Sequence, residues 1–427
     1  MVARVHALRG IRYNAAHVRL GGVLAPPYDV ITPAQLDALY GRDLRNVVRI
    51  DCGMAYDDDV PGENDRYTRA RDFLESWLSL GILTEDPAAA LYVADQEFTA
   101  PEGGVAHRRG LLALVPARPW DARELLPHER TLSAAKEDRL ALMRATRAQT
   151  SPVFAVWNGA AGIDAALRAA TAGPPILGGR TDGEMGSEKH LLWRVDDPET
   201  VSAIREALSA ARLYVADGHH RYETAVAYAA ERRAAEPSAP PDAPFEFCLV
   251  CLAAADDPAL FILPTHRLVR PGPGLAFSID DLWARLDDRW ELEPAPDVRT
   301  ALDASAAARA GHHAFAVVAH DGVAVLRRRR EPQGSPRDGL DATVLEREVL
   351  EPAGVGTAAI REGALAYTRD AAELEAAVRR RDAVLGFGLQ PATTAEVIAV
   401  ADAAETMPQK STYFYPKVPT GLVLHPV

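Results

Sequence analysis

Short apolar runs alternate with helical stripes along most of this chain. Apolar side chains recur every three or four residues from Tyr67 to Leu78, and this spacing predicts a helix. Apolar runs at 90–98 and 109–115 flank a Pro-Glu-Gly-Gly turn and predict an antiparallel hairpin. The same reasoning predicts strands at 46–51, 153–157, 245–253 and 260–263, a hairpin at 313–319 and 323–328, and helices at 341–350, 371–381 and 393–405. The pattern as a whole predicts a mixed α/β fold.

One strand, turn and helix in this series carries an unusual set of polar side chains. The apolar or β-prone residues 213–216 are followed by Asp217–Arg221, which has the sequence Asp-Gly-His-His-Arg and precedes a helical stripe. Such a turn aims backbone N–H groups and the positive end of a helix dipole at its opening. Because Arg221 adds a planar fork that suits phosphate or carboxylate, the segment predicts an oxyanion site. A purely structural histidine pair is the alternative.

Composition limits the classes of protein to consider. Of the 427 residues, 48% are hydrophobic and 25% are charged, which is typical of a globular protein. The length predicts two or three domains, which we place at residues 1–105, 106–270 and 271–427. Lys and Arg total 47 against 60 Asp and Glu, a net charge of −13. Since a DNA-binding surface needs a clustered basic face, we expect no nucleic-acid partner.

The cysteines suit a reducing compartment. There are three, Cys52, Cys248 and Cys251, a sparse and odd number that does not resemble a disulfide framework. Alternation along a strand places Cys248 and Cys251 on opposite faces, which disfavours a metal or redox pair. The sequence shows neither a signal peptide nor a long apolar span. We therefore expect a cytoplasmic protein that has no membrane partner.

Two further segments in the first half hold polar side chains in constrained backbone. Two prolines fix Tyr28 and Asp29 within an Ala-Pro-Pro-Tyr-Asp-Val run, which is either a binding element or a rigid connector. A Pro-His-Glu run sets the imidazole of His128 beside the carboxylate of Glu129, a candidate general base. The charged helix that follows, around 136–147, is predicted to present a solvated face.

Two segments in the second half carry cations and hydroxyl groups. A strand end with the sequence Leu-Pro-Thr-His-Arg contains His266 and Arg267. The tail Met-Pro-Gln-Lys-Ser-Thr-Tyr-Phe-Tyr-Pro-Lys contains Lys410, Ser411 and Lys417. Its lysines and hydroxyl groups suit an anionic ligand, whereas a strand with core aromatic residues is the alternative.

Two common nucleotide-binding motifs are missing from the sequence. No Gly-x-x-x-x-Gly-Lys-Ser/Thr run is present, which excludes a P-loop. Gly354-Val-Gly356 lacks the third glycine of the dinucleotide fingerprint. Any phosphate chemistry in this chain therefore uses another scaffold.

Five motifs, taken in order, resemble a known family. They are Ala-Pro-Pro-Tyr-Asp-Val, Pro-His-Glu-x-Thr, Asp-Gly-His-His-Arg-Tyr-Glu, Leu-Pro-Thr-His-Arg and Met-Pro-Gln-Lys-Ser-Thr-Tyr-Phe-Tyr-Pro-Lys, and they extend from Ala25 to Lys417. The set resembles a widespread bacterial family of domains of unknown function. Its central part resembles the ParB/sulfiredoxin-like superfamily, which includes kinases that convert free L-serine to O-phosphoserine. The resemblance implies a ParB/sulfiredoxin-like core flanked by N- and C-terminal α/β subdomains.

In those kinases a Pro-His-Glu segment supplies the catalytic carboxylate and an Asp-Gly-His-Thr-Arg turn holds the phosphates. The matching positions here are Glu129 and His128 for the first motif, and Asp217, Gly218, His219, His220 and Arg221 for the second. His220 stands in place of Thr, which is a departure from the kinase pattern. The spacing between the two motifs is also longer than in the compact kinases, so the resemblance implies an insertion between them.

The resemblance implies phosphoryl transfer to the hydroxyl of free L-serine, with ATP, ADP or pyrophosphate as donor and Mg²⁺ as cofactor held by Asp217. Together with the residue chemistry it assigns catalytic roles to Glu129, His128, Asp217 and His219, phosphate binding to Gly218, His220, Arg221, Arg267, Lys410, Ser411 and Lys417, and substrate binding to Tyr28, Asp29 and His266.

Other classes remain open at this point. A ParB-like regulator that binds phosphate or nucleotide without catalysis, or a sensor of phosphoserine, would use the same turn. A sulfiredoxin-like reductase is disfavoured because the turn has no cysteine. A metal hydrolase based on His219, His220 and His266 is weaker, because adjacent histidines seldom face one metal ion. The partner in each case is a small molecule, and a homodimer stays open.

Overall fold

A computed structural model describes residues 5–129, 133–160, 162–332 and 334–427. The strands are β1 (Ile11–Tyr13), β2 (Leu83–Glu85), β3 (Leu91–Thr99), β4 (Val105–Pro116), β5 (Ala148–Gln149), β6 (Val153–Asn158), β7 (Leu177–Gly183), β8 (Gly186–Val195), β9 (Arg212–Asp217), β10 (Phe247–Ala254), β11 (Phe261–Ile262), β12 (His266–Val269), β13 (Glu291–Ala295), β14 (His312–Ala319), β15 (Gly322–Arg329), β16 (Leu365–Thr368), β17 (Leu385–Gly388), β18 (Phe414–Tyr415) and β19 (His425–Pro426).

The α-helices are α1 (Leu20–Val23), α2 (Pro33–Arg42), α3 (Val48–Asp51), α4 (Arg66–Ser79), α5 (Ser133–Thr146), α6 (Ile163–Ala170), α7 (Pro198–Leu208), α8 (His219–Ala235), α9 (Ile279–Trp283), α10 (Val298–Ala308), α11 (Asp341–Leu345), α12 (Thr357–Arg361), α13 (Ala371–Arg380) and α14 (Thr394–Asp402). Short 3₁₀ turns lie at Tyr28–Val30, Trp120–Ala122 and Pro244–Glu246, and a π-helical turn lies at Glu346–Leu350. The predicted mixed α/β class is confirmed.

The chain forms two compact units. The first unit contains Met1–Phe261 and Pro416–Val427, and the second contains Ile262–Tyr415. The first unit has a seven-stranded sheet in the order β7-β8-β3-β4-β10-β6-β9. β10 and β6 run parallel, and the other neighbours run antiparallel. This sheet takes strands from both of the predicted domains 1–105 and 106–270, so those two parts of the chain share one sheet.

The core of the first unit fixes α8 against this sheet. Tyr222 and Ala225 of α8 are buried with Val153, Val215 and Val250 of the strands. Burial of apolar side chains on this scale is the main stabilising contribution to such packing. The packing holds the N-terminus of α8 at the end of β9, which is where the predicted phosphate turn lies.

The second unit is built on a six-stranded antiparallel sheet. Its order is β13-β15-β14-β17-β12-β16. Phe315, Val317, Leu326 and Phe387 lie in its main apolar core. The predicted hairpin is present as β14 and β15, with Ala319 paired to Gly322 across the turn. The hairpin predicted in the first half is likewise present as β3 and β4.

The predicted strand at 46–51 is wrong, because the helix α3 occupies Val48–Asp51. The cause lies in Asn46, whose Oδ1 accepts a hydrogen bond from the Val48 N–H at 3.0 Å and so starts a helical turn. The Asn46 amide also donates to the Gly22 and Leu24 carbonyls at 2.8 and 3.0 Å. An apolar run alone predicts a strand, but here the side chain that precedes it sets the backbone.

The cysteines are free thiols in the described residues. Cys248 and Cys251 lie in β10, and burial raises the pKa of each thiol to about 12, which makes both unreactive at neutral pH. Within the part of the chain that the structure describes, no helix has the length and apolar character needed to cross a membrane.

Candidate functional site

The turn between β9 and α8 has the predicted order of strand, turn and helix. β9 ends at Asp217, Gly218 has a left-handed conformation with φ of 94°, and α8 begins at His219. A Cβ atom on Gly218 would lie 2.8 Å from Nε of Arg221, so the backbone conformation and the close guanidinium both require glycine. The first N–H groups of a 17-residue helix therefore point out of this turn.

The Asp217 carboxylate lies between two cations. Arg221 donates from Nη2 to Oδ2 at 2.7 Å, and Lys417 donates from Nζ to Oδ1 at 3.0 Å. Burial by itself raises the pKa of Asp217, but Lys417 and Arg221 outweigh it and hold the pKa well below its usual range. Asp217 therefore stays ionised at neutral pH, and each of its oxygen atoms already has a cationic partner.

Arg221 makes its contacts inside the protein. Its side chain is 8% exposed. In addition to Asp217, it donates from Nη1 to Oγ of Ser151 at 3.0 Å and to the Pro152 carbonyl. Ser151 in turn accepts a hydrogen bond from the Thr420 hydroxyl at 3.0 Å. With both Nη atoms engaged in this way, Arg221 connects the turn to the segment before β6.

The segment that ends in Glu129 runs alongside β9. Leu126 forms a parallel bridge with Tyr214, through hydrogen bonds from Leu126 N–H to the Leu213 carbonyl and from Val215 N–H to the Leu126 carbonyl, both at 2.9 Å. Because the two segments run in the same direction, three residues further along each one Glu129 and Asp217 reach the same strand end. The two motifs of the resemblance therefore meet in space.

Two neutral histidines, His128 and His219, accompany the acids Glu129 and Asp217. His128 donates from Nδ1 to the Val215 carbonyl at 2.8 Å, and its backbone N–H donates to Nε2 of His219 at 3.3 Å. The rings meet edge to face, with centroids 4.7 Å apart. Burial lowers the pKa of both imidazoles, and in His219 the neighbouring His128 lowers it further. Nε2 of each ring is consequently unprotonated.

Glu129 is the accessible member of this group. Nε2 of His128 lies 4.0 Å from Oε1 of Glu129, and the His128 side chain is fully buried whereas that of Glu129 is 30% exposed. A small molecule can therefore reach the Glu129 carboxylate, while the His128 ring is shielded from solvent. Arg130 and Thr131, which complete this motif, lie outside the described residues.

Tyr28 and Asp29 belong to the same cluster of charges. They lie in a 3₁₀ turn directly after Pro27, whose backbone is extended. Burial raises the pKa of Tyr28 to about 12, so its phenol stays protonated. The Asp29 side chain keeps contact with solvent, yet the protein packed around it raises its pKa, and the Asp217 carboxylate raises it further. Arg221 and Lys417 oppose that shift.

Arg139 was missed by the sequence analysis, and the prediction of a solvated face on α5 is wrong at this residue. Its side chain is 9% exposed, and it donates from Nη1 to the Asp51 carbonyl at 2.6 Å. Its guanidinium carbon lies 4.0 Å from the centre of the Tyr28 ring. Arg139 thus packs against the Tyr28 ring of the predicted substrate-binding segment.

A signal for this burial was present in the sequence. Arg139 precedes Leu142 and Met143 by three and four residues, so all three share one face of the helix. Leu142 and Met143 are buried, as the apolar stripe predicts. The face of α5 that contains Arg139 is therefore its packed face.

Four of the predicted site residues lie in the second unit. His266 accepts a hydrogen bond at Nδ1 from the Leu389 N–H at 3.2 Å, and burial together with Arg267 lowers its pKa to about 4. Lys410 is exposed with a positive φ of 55°, and the Ser411 hydroxyl donates to the Pro408 carbonyl at 2.7 Å. His220, in the first unit, is half-buried beside the turn.

The residues at Asp217 do not fit the predicted Mg²⁺ ion. In the described residues no group of three or more His, Cys, Asp or Glu side chains could hold a metal ion. Both oxygen atoms of Asp217 accept from Arg221 and Lys417, and these cations would repel a divalent ion. We therefore assign Asp217 the task of positioning Lys417 and Arg221, and we derive no step from a metal held by the protein.

Several solved structures share a distant likeness with this chain. A conserved hypothetical protein from Pyrococcus furiosus has a TM-score of 0.35 at 13% identity, over 74% of this chain and 95% of that one. A free serine kinase in complex with AMP has a TM-score of 0.35 at 12% identity, over 73% and 92%. SbnI from Staphylococcus aureus, truncated at its C-terminus, has a TM-score of 0.36 at 13% identity, over 74% and 87%. TM-scores at this level do not assign a function.

The family of the chain follows from its sequence. No curated protein matches it. The sequence profile of DUF1015, described as a protein of unknown function, matches residues 5–346. This match covers most of the chain and confirms the membership in a family of unknown function that the motifs predict. The chain belongs to the DUF1015 family.

Proposed function

We propose that this protein is a small-molecule kinase that transfers a phosphoryl group to the hydroxyl of free L-serine. One observation carries the proposal. The parallel bridge between Leu126 and Tyr214 brings the accessible carboxylate of Glu129 to the strand end at which the N-terminus of α8 opens. Phosphoryl transfer depends mainly on positioning and charge stabilisation, and this arrangement offers a base beside an anion site.

Glu129 is the proposed general base. Its carboxylate takes the proton of the serine hydroxyl while the serine oxygen attacks the terminal phosphorus of the donor. The bond from that phosphorus to the bridging oxygen breaks, and the shortened donor leaves with the electron pair. His128 is a positioning residue, since its neutral ring is anchored at the Val215 carbonyl and lies 4.0 Å behind Glu129.

The donor phosphates are proposed to lie at the N-terminus of α8. The first N–H groups of the helix, from His219 onward, and its dipole favour negative charge there. Lys417 contacts Asp217 at its Nζ, and its flexible stem lets the ammonium turn toward a phosphate. His220, half-buried beside the turn, is a second phosphate contact. A donor complexed with magnesium would bring that ion on its own phosphate oxygens.

Tyr28 and Asp29 are proposed to bind the acceptor. Asp29 is a solvent-exposed residue, and its carboxylate suits the ammonium group of an amino acid. The Tyr28 phenol, protonated because burial raises its pKa to about 12, can donate to the serine carboxylate. Arg139 keeps the Tyr28 ring in place. This assignment uses residues of the first unit alone.

The test is direct product detection. The purified full chain is incubated with L-serine, Mg²⁺ and either ATP, ADP or pyrophosphate, and O-phosphoserine is measured by mass spectrometry. We expect product with one donor. In Glu129→Gln we expect a fall in kcat of about 10²–10⁴-fold, because the base is lost while the shape is kept. Donor binding should be unchanged in this variant.

Glu137→Gln is the matched control, because Glu137 is an exposed carboxylate on the nearby helix α5. It should keep full turnover. Equal turnover in Glu129→Gln and the unchanged protein would rule out Glu129 as the base.

Binding of a nucleotide or phosphoserine without turnover is the second candidate. The observation in its favour is that Asp217 forms ion pairs with both Arg221 and Lys417. These pairs hold the turn in shape without a catalytic group, which is all that binding requires. Isothermal titration with each donor and with phosphoserine separates the two functions. Saturable binding together with no product from any donor would support a sensor and reject the kinase.

A further inference from the structure

A small polar cavity lies within the second unit. Its polar lining includes Thr265, Arg267, Arg309, Ser411 and two acids, Asp341 and Glu396. Counted as the space open to the centre of a water-sized sphere, its volume is about 20 Å³. That space admits one or two water molecules, or one small ion. The cavity is therefore small and has polar walls.

Arg267 is the notable side chain of this cavity, because it is buried and forms no ion pair among the described residues. It is 1% exposed. Its Nη1 donates to the Thr265 carbonyl, its Nη2 donates to the Gln409 carbonyl at 3.5 Å, and its Nε has no hydrogen-bond partner. Among the described residues, no carboxylate oxygen lies within the 4.0 Å of an ion pair with its guanidinium.

The acids that border the cavity already have other partners. Glu396 pairs with Arg309 at 3.2 Å. Asp341 pairs with His313 at 2.8 Å and with Arg330 at 2.7 Å. Glu346, beyond ion-pair distance, and the Tyr367 ring, whose centre is 5.2 Å from the guanidinium carbon, compensate the charge of Arg267 only in part, since burial still lowers its pKa. A buried cation that lacks a partner is costly, and a group of opposite charge in contact with it removes much of that cost.

We propose that this cavity binds a small monovalent anion beside the Arg267 guanidinium, either a free halide or the carboxylate of a small molecule. The volume excludes phosphate unless the walls move, so the ligand is smaller than the one that the sequence predicts for Arg267 and Ser411. Thr265 and Ser411 line the same space; the Ser411 hydroxyl already donates to the Pro408 carbonyl, which leaves the Thr265 hydroxyl as the further donor for the anion. This inference does not depend on the proposed kinase activity.

The first experiment measures thermal unfolding of the full chain at constant ionic strength. Gluconate, which is too large for the cavity, is replaced stepwise by bromide, formate or phosphate. We expect Tm of the 427-residue chain to rise by about 1–2 °C for each tenfold increase of bromide or formate above saturation, relative to the same series in Arg267→Gln. Phosphate should give no such difference. A response to formate but not bromide identifies a carboxylate as the source, and the reverse identifies a halide.

The control variant is Arg379→Gln, which removes an arginine whose side chain is 73% exposed. It should keep the anion dependence of the unchanged protein. Equal dependence on all anions in the unchanged protein and in Arg267→Gln would overturn the proposal.

The second experiment stays decisive if Arg267→Gln does not fold. Crystals of the unchanged protein are soaked in bromide, and the anomalous signal is measured. A bromide peak within about 3.5 Å of the Arg267 guanidinium supports the site. A parallel soak in formate tests for a carboxylate, and water in the cavity after both soaks, with bromide at the protein surface only, overturns the proposal.

Discussion

Arg221 and Arg267 are both buried arginines, yet the charged groups around them differ. Arg221 lies in the first turn of α8, just after β9, and Arg267 lies near the start of β12. Burial by itself lowers the pKa of each guanidinium. At Arg221 the carboxylates of Asp217 and Asp29 outweigh burial and raise the pKa, whereas at Arg267 burial prevails and the pKa is lowered. Arg221 is therefore compensated by the protein and holds a turn in place. At Arg267 the more distant Glu346 does not outweigh burial, which is why we assign a ligand to this residue.

The compensation at Arg221 can be broken with a single substitution. Asp217→Asn leaves Arg221 and Lys417 close together without their shared carboxylate. We expect a loss of about 3–5 kcal/mol in the free energy of unfolding, because removal of one partner leaves buried charge unpaired. Urea unfolding at pH 7 measures this loss. Since the pKa of Asp217 is depressed, its stabilisation is present above the unfolded value of about 3.9 and lost as pH falls below it, so the two proteins should converge in acid.

Asp29→Asn is the matched control for that experiment. Burial and the neighbouring Asp217 raise the pKa of Asp29, so the folded protein disfavours its charge. The substitution should leave the stability at pH 7 unchanged or raise it. If both variants lost the same free energy, Asp217 would not be the group that compensates Arg221.

The pH dependence of stability tests the same comparison in the second unit, where His266 lies next to Arg267 in the chain. Burial and Arg267 lower the pKa of His266 to about 4, compared with about 6.5 in an unfolded chain. As pH falls below 6.5 the unfolded chain gains the proton first, so stability is present above this pH and is lost on the way down to pH 4. The slope is about 1.4 kcal/mol per pH unit for this histidine. His266→Asn should flatten the curve by that amount between pH 6.5 and 5, measured by urea unfolding.

The Asn side chain keeps an acceptor for the Leu389 N–H, so the fold should tolerate this change. His17→Asn changes an exposed histidine and should keep the full slope. An unaltered slope in His266→Asn would show that this residue does not take up a proton in that range.

The smallest effect is expected at the glycine that lets Arg221 approach Asp217. Gly218→Ala puts a side chain on a left-handed backbone and against Nε of Arg221 at 2.8 Å. We expect a loss of about 1–2 kcal/mol in the free energy of unfolding. Gly173→Ala is the control, because a Cβ atom there meets nothing within 4 Å. Equal stability of the two variants would mean that the turn adapts without cost.

Prediction from the sequence succeeds where the chemistry is local. Periodicity and turn residues predicted the strand, turn and helix at β9 and α8, as well as both hairpins. It failed at Val48–Asp51, where the hydrogen bond from the Val48 N–H to Asn46 makes a helical turn out of an apolar run. It also failed at Arg139, whose charge suggested solvent although its helical position placed it on the packed face.

By itself the sequence determined the mixed α/β class, the family and the glycine turn, because each depends on residues close together in the chain. Only the tertiary structure decided which charges are compensated. Lys417 contacts Asp217 from 200 residues away, and Glu129 reaches the same strand end through a bridge between distant segments. Electrostatic partners act across space, and a buried cation has the same letter in the sequence whether or not a carboxylate lies beside it. A carboxylate forms an ion pair with Arg221, whereas none does so with Arg267 among the described residues.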